Sequence, residues 1–576
     1  MFFYCFRLLA MVQVFNTSLF YQERNHLKIT EKMKSVFYTI IAPIILVFIN
    51  FALKIRYVSY PSLAKDEPFS VYYSQFDVAT IVSELSRGNN PPLYEVFLHI
   101  WTSIFGISEL SVRFPSVVFS SLTVYFIYQI CRKFFSVKAA ILAAVLFTLS
   151  NYEMYFAHEA RVYPLFMLLT TVSMFQYLKL ITSERSKTDV VIYLIINILL
   201  LYTHFFSWFV LLVQAVIFIA LYWNKKGELL KFARYFGIIV LFYLPYVGVF
   251  VNRFLDSSSG TWIEPVADLR PIHTIFGTLV NNMHVSYVVV LILAWMVLQQ
   301  YIFKHFRNSL LGISFIFLSI VFLLISLSIR LPLFSFENDF SSALVITSFL
   351  LFYLVFFIHY QSSKKQSIQG KIVLSWFFIP GFIMFVASFS IPMFIDRYLI
   401  YLTPAFFIVF SIAISKLDNK LFISFSLLVT ILMAISFTPI SNNERDIKTL
   451  VKNVKQMQKD SNSAVFICPD YLVFTFTYYY NKDYFTATES GIPKKDIVSS
   501  LRSDHVFLVK NYKAVDSIYN ANSYDKIIYV DAAADFAYDN NNIKSYLNNA
   551  FQSKSASVDS LHVPGIFNIY SYQLGK

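Results

Sequence analysis

One feature recurs through this sequence: apolar runs of about 18 to 20 residues, each long enough to cross a bilayer as a helix, separated by short polar loops. Of 576 residues, 57% are hydrophobic and 14% are charged, and the chain holds 63 Phe and 39 Tyr. A soluble domain of this size has no use for so much apolar aromatic surface. The pattern sets the class: an all-α polytopic membrane protein.

Spans are read at about 36–53, 113–131, 139–156, 162–181, 188–203, 206–223, 235–252, 285–303, 309–329, 341–359, 372–391, 398–415 and 420–438, about thirteen in all. Alternate loops carry the basic clusters: Arg132, Lys133 and Lys138; Arg185 and Lys187; Lys225 to Arg234; Lys304 and Arg307; Lys364 to Lys371; Lys416 and Lys420. Such loops face the cytoplasm. The opposite loops hold single charges beside aromatics and prolines, so the segment 54–111 is expected outside. Its stretches 71–87 and 93–105 are too polar to cross and suit helices lying in the interface.

The formal net charge is +13, but the Lys and Arg lie in short loops, as membrane orientation requires, and no nucleic-acid partner is implied. Cys5, Cys131 and Cys468 are too widely spaced for a metal or disulfide pattern. With 13 Gly, no nucleotide-binding glycine motif appears. Residues 1–35 read as an N-terminal extension. Met1 to Phe20 is apolar but broken by Arg7, Gln13 and Asn16, and Met33-Lys34 before the run from Val36 reads as a more natural start.

From about 440 the composition changes. Asn, Asp, Lys and Ser become frequent, and β-rich runs appear at Ala464–Ile467, Val506–Val509, Lys526–Val530 and Phe567–Tyr572, with a helical pattern over 445–459. The division is therefore a transmembrane domain over 36–439 and an extracytoplasmic α/β domain over 440–576.

Ionisable groups at a membrane boundary are costly and usually functional. Asp66 and Glu67 stand in the first outer loop; Asn89 and Asn90 precede Pro91-Pro92; His158, Glu159, Arg161 and Tyr163 join two spans; His204 tops another, and Arg397 opens a later one. All are expected on the outer face. Each has a plainer reading too: Asp66 as a helix N-cap, Arg161 paired with Glu159, Arg397 with Asp396, the histidines simply hydrogen-bonded.

In order, Asp-Glu, Asn-Asn-Pro-Pro-Leu-Tyr, Arg113-Phe114-Pro115-Ser116, His-Glu-Ala-Arg-Val-Tyr, Tyr202-Thr203-His204-Phe205-Phe206 and Arg397-Tyr398-Leu399 resemble the polyprenyl-phosphate-sugar-dependent GT-C glycosyltransferases. The resemblance is to the bacterial dolichyl-phosphate-mannose-protein mannosyltransferase-like and aminoarabinose transferase group, over residues 36 to about 415. It implies a GT-C fold of about thirteen helices and an acidic residue of the first outer loop as catalytic base, here Asp66 with Glu67 beside it. It also implies a lipid phosphate held by basic groups, with or without a divalent metal such as Mg or Mn. Some relatives have an acidic or His residue just before the Pro-Pro pair, where this chain has Asn89-Asn90; an amide is a poorer metal ligand than a carboxylate, so the metal is left open.

The chemistry needs a base near an acceptor hydroxyl and positive charge near a departing phosphate. Asp66 can supply the first; Arg161, His204 and Arg397 can supply the second. The expected enzyme sits in the inner membrane among its lipids and moves a sugar from a polyprenyl-phosphate carrier to a hydroxyl of a glycan, lipid or protein of the cell envelope. A carrier-lipid glycan polymerase or ligase is the nearest alternative. A lipid-sugar transporter or flippase would need ionisable groups near mid-span and internal pseudo-repeats, and neither stands out.

Overall fold

The structure is a computed structural model. It describes residues 33–301 and 364–574, apart from short breaks at 89, 183–185, 259, 261–262, 269, 441–444, 460–461, 487–495, 523, 540 and 552–554. The extension 1–32, the expected spans 309–329 and 341–359, the outer loop between them and Asn89 lie outside the described residues.

Helices stand at every expected span that is described. Six are long and apolar enough to cross a membrane: Met33–Ile55, Glu109–Phe134, Tyr163–Thr182, Lys226–Ser258, Ile368–Ala387 and Asp396–Ser415. The number rises to eight if each of two bent pairs is one span. The helices Ser207–Tyr222 and Asn419–Ile435 are apolar but shorter.

The bends correct the reading of 139–156 as one straight helix. Val137–Thr148 and Asn151–Ala157 meet at 62°, and Arg270–Leu279 and Met283–Leu293 meet at 92°. A bend in buried, apolar surroundings exposes backbone groups that must find partners. Here each bend supplies the other. Asn281, itself at φ 78°, donates from Nδ2 to the Leu149 carbonyl at 2.8 Å and accepts the Asn151 N–H at 2.7 Å.

The outer segment also differs in detail. The stretch 71–87 is not one helix but part of two, Glu67–Tyr73 and Val78–Leu85. Asp77 starts the second by accepting the Thr80 N–H at 3.1 Å. Leu93–Phe105 follows as expected.

In the tail, each β-rich run falls in a strand: β1 Ser463–Cys468, β2 Val506–Leu508, β3 Lys526–Ala532 and β5 Phe567–Leu574. The run not expected is β4, Ser555–Val563. The sheet order is β2-β1-β3-β5-β4; β1 lies parallel to β2 and β3, while β5 is antiparallel to both its neighbours. The helices Ile447–Gln458 and Val473–Tyr480 cover one sheet face, burying Ile447, Leu450, Val454 and Phe476 against Val465, Ile467 and Ile528. Ala64, from the segment 54–111, is buried in this same cluster. That segment and the tail therefore share a core.

Candidate active site

Asp66 and Glu67 are adjacent, and the chain turns so that they face opposite ways. Lys65, at φ 56°, sets up the turn. Glu67 opens the helix Glu67–Tyr73 and is buried. Arg113 grips it with both forks: Nε to Oε1 at 2.7 Å and Nη2 to Oε2 at 2.6 Å. The Ala160 N–H adds a bond to Oε1 at 2.8 Å. The remaining donors of Arg113 reach the carbonyls of Val58, Pro61 and Ser62 at 2.8–2.9 Å. With the Ala64 N–H on Oε2 at 3.3 Å, four donors meet the four lone-pair sites of the carboxylate. Glu67, expected beside Asp66 as a catalytic residue, is placed in the interior as the loop's anchor and does not line the cleft.

Asp66 instead opens on a cleft lined by Lys65, Asp66, Tyr155, Phe156, Glu159, Arg161, Tyr163, Asp396 and Arg397. Its side chain is 52% exposed, and Oδ2 accepts from Arg397 Nη1 at 2.8 Å. Burial of the group would raise its pKa, but Arg161, Arg397 and Lys65 outweigh that and hold the carboxyl below its ordinary value. It stays ionised at neutral pH. The N-cap reading of Asp66 fails, because its side chain makes no capping bond.

Arg161 lies under the cleft. Its Nη1 donates to Ser70 Oγ at 2.6 Å and to the Asp66 carbonyl at 3.4 Å, and lies 3.9 Å from Glu95 Oε1. Ser70 in turn donates to the same Glu95 oxygen at 2.7 Å. Arg161 is thus tied to the loop that carries Asp66 rather than to Glu159. Arg397 opens the helix Asp396–Leu399, where its backbone N–H bonds Asp396 Oδ1 at 2.6 Å and its side chain crosses to Asp66. Glu159 stands on the cleft wall, its carboxyl pushed up to about 7 by burial and by nearby Glu67.

Residues 89–248 match the family model "Dolichyl-phosphate-mannose-protein mannosyltransferase". The resemblance read from the sequence motifs holds over this mannosyltransferase-like segment, which contains Glu95, Arg113, Tyr155, Glu159, Arg161, Tyr163 and His204; Asp66 and Arg397 flank it. Among solved structures, ArnT from Cupriavidus metallidurans in the apo state aligns at TM-score 0.48 and 10% identity, covering 94% of this chain and 98% of that one. The same protein bound to undecaprenyl phosphate gives 0.47 and 10%, over 93% and 97%. The archaeal oligosaccharyltransferase AglB from Archaeoglobus fulgidus, in complex with an inhibitory peptide and a dolichol-phosphate, gives 0.47 and 11%, over 93% and 74%. Scores below 0.5 do not establish a shared fold. A search of curated proteins finds no match.

Within the mannosyltransferase-like segment, the other expected residues divide. Tyr163 lines the cleft, buried at the start of its helix. His204 lies one layer below: its ring stacks on Phe166 at 4.7 Å and sits 6.2 Å from Tyr163. Nδ1 accepts the Phe206 N–H at 3.2 Å, so the neutral ring carries its proton on Nε2. Burial pushes its pKa down to about 3, helped by Arg161, and Nε2 is buried without a hydrogen-bond partner. His158 is buried, with Nε2 donating to the Lys54 carbonyl at 2.7 Å, and does not line the cleft. Asn90 is buried outside the cleft lining.

Around Asp66, Lys65, Arg161 and Arg397 supply positive charge, Glu67 and Glu95 are held by Arg113 and by Ser70 with Arg161, and the carboxylates of Glu159 and Asp396 also line the cleft. Among the described residues no three His, Cys, Asp or Glu side chains are grouped to hold an ion. The residues that sequence reasoning passed over are Lys65, Tyr155 and Asp396 on the cleft, and Glu95 behind it. Lys65 was signalled by adjacency to Asp66. Tyr155 shows its part only in space, where its hydroxyl accepts from Lys65 Nζ at 2.7 Å.

Proposed function

We propose that this chain is a membrane glycosyltransferase that moves a sugar from a polyprenyl-phosphate carrier to an acceptor hydroxyl, with Asp66 as general base. The observation that carries this reading is an ionised, half-open carboxylate facing a cleft ringed by Lys65, Arg161 and Arg397. The family match over 89–248 supports the reaction class.

In the proposed step, Asp66 takes the proton of the acceptor hydroxyl as its oxygen bonds to the anomeric carbon. The bond from that carbon to the phosphate oxygen breaks, and the polyprenyl phosphate leaves with the electron pair. Arg397 and Lys65 meet the charge that grows on the leaving oxygens, where fixed positive groups in a partly dry site are most effective. Arg161 holds the wall from below. Arg397 has two claimants, Asp66 and the phosphate. A bound donor draws it toward the phosphate and leaves Asp66 more basic than in the free enzyme.

The cleft faces the extracytoplasmic side in this proposal, with the α/β unit of 440–576 above it, because the basic loops lie at the other helix ends. The acceptor belongs to the cell envelope. The test is transfer of radiolabelled sugar from a panel of polyprenyl-phosphate donors in membranes carrying the chain, with Asp66→Asn as control. Transfer from one donor, lost in the variant, supports the reading. Transfer from none, with the chain folded and inserted, overturns it.

A further inference from the structure

The candidate base sits in a loop with no regular structure of its own. Residues 56–66 form neither helix nor strand, yet Asp66 must be held to within a fraction of an ångström for proton transfer. Two grips hold the loop. One is Arg113, from the membrane helix Glu109–Phe134, through the carbonyls of Val58, Pro61 and Ser62 and the carboxylate of Glu67.

The other comes from the tail, more than 380 residues away in sequence. The Leu63 N–H donates to the Tyr479 hydroxyl at 2.5 Å, and that hydroxyl donates to Glu109. Lys448 Nζ bonds the other Glu109 oxygen at 2.9 Å and the Ser59 carbonyl at 3.2 Å. Ala64, next to Leu63, is buried in the tail's apolar core. Phe474 packs edge-on to Phe69 at 5.9 Å, three residues past Asp66. Glu109 stands one helical turn before Arg113, so both grips end on the same helix start.

We propose that the C-terminal unit completes the active site, with Tyr479 as a positioning residue that fixes the Asp66 loop through the Leu63 amide and Glu109. This rests on the reading of Asp66 as base. Tyr479 touches no substrate in this arrangement; it acts through the loop. Phenylalanine at 479 keeps the ring and its packing and removes both hydrogen bonds. The Leu63 amide then loses its acceptor, and Asp66 samples positions away from Arg397.

The test uses the full-length protein in detergent or nanodiscs, with amide hydrogen exchange and steady-state kinetics on the same samples. In Tyr479→Phe, exchange over 57–66 should rise while peptides from β1, β3 and β5 keep their protection. The kcat should fall about 10- to 100-fold, the scale for a catalytic group misplaced by about 1 Å, with donor KM nearly unchanged. The acid limb of kcat/KM, which reports the free enzyme, should move to higher pH. The groups facing Asp66 are Lys65, Arg161, Arg397 and the carboxylates of Glu159 and Asp396, and loosening the loop weakens the Arg397 pair that holds the carboxyl down.

If Tyr479→Phe does not fold, Glu109→Gln decides: it keeps an acceptor for Tyr479 but gives up the charge that Lys448 reads, and should show a smaller change of the same kind. Unchanged exchange over 57–66, or raised exchange with unchanged kcat, overturns the proposal. Asp66→Asn separates the two ideas. It should lose kcat without loosening the loop; if it keeps activity, the base assignment fails while the exchange result still judges the clamp.

Discussion

Asp66 and Glu67 share a side-chain chemistry and adjoin in sequence, and they live in opposite surroundings. Glu67 lies in a sealed bed where a bidentate arginine and two backbone N–H groups occupy its oxygens. Asp66 is half-exposed on an open cleft, with one oxygen tied to the more buried Arg397. With Asp66 as the proposed base, the contrast separates two demands on one loop. Geometry needs a group with every bond made, and proton transfer needs one with a bond to spare. One peptide unit keeps the two functions apart.

The sharpest way to break that contrast is Asp66→Asn. An amide keeps the shape but cannot take the proton, so turnover should fall about 10²- to 10⁴-fold with thermal stability unchanged. Retention of most activity would move the base elsewhere. Next in size is Arg113→Ala, which strands the Glu67 carboxylate in its bed. Leaving one member of a buried pair costs about 3 to 5 kcal/mol, read as a lower unfolding midpoint and poor recovery from membranes. An unaffected midpoint would deny Glu67 its structural role.

Arg397→Ala tests the link between the two regions. Donor use should weaken by about 1 to 3 kcal/mol, the scale of a charged hydrogen bond. Lysine should recover part of this, because an ammonium cannot fork to two oxygens. The pH profile carries a sign. Arg397 helps hold Asp66 below its ordinary pKa in the free enzyme, so removing it should move the acid limb of kcat/KM to higher pH. In the wild type, a bound phosphate shares Arg397, so the acid limb of kcat should lie at higher pH than that of kcat/KM. Coincident limbs would rule out competition for the arginine.

A last test, read in stability rather than turnover, concerns Glu159. Its carboxyl rises from 4.5 to about 7 on folding, so the folded state binds its proton more tightly than the unfolded chain does. Stability is then lost as pH rises through that range. Glu159→Gln should therefore raise the unfolding midpoint at pH 8 and leave it nearly unchanged at pH 5.

Much of the frame was legible, because an apolar run long enough to span a bilayer has few other fates. The tail's strands at Ser463–Cys468 and Lys526–Ala532 were legible for a similar reason: their runs are continuous and buried. Strand β4 escaped because it lies at the sheet edge, where Ser, Asp and His replace an apolar run. In the site, Asp66, Arg161 and Arg397 could be picked out as charges in an apolar chain. Their partners could not. Arg113 reads as the start of a span until Glu67, 46 residues earlier, is seen in its fork. His204 and His158 look alike on paper, and only the structure shows both in the interior, one with Nδ1 on the Phe206 N–H and Nε2 unpartnered, the other with Nε2 on the Lys54 carbonyl.

The paired bends set a timetable for biogenesis. The Leu149 carbonyl takes its partner from Asn281, 132 residues downstream, so a nascent chain reaches the membrane with that group unanswered until the later bend has been synthesised. The Asn151 side chain waits longer still, for the Ser436 carbonyl and the Thr438 N–H. A ribosome stalled before residue 281 would leave a segment that the insertion machinery must shelter. The finished bundle closes only when its last helices arrive.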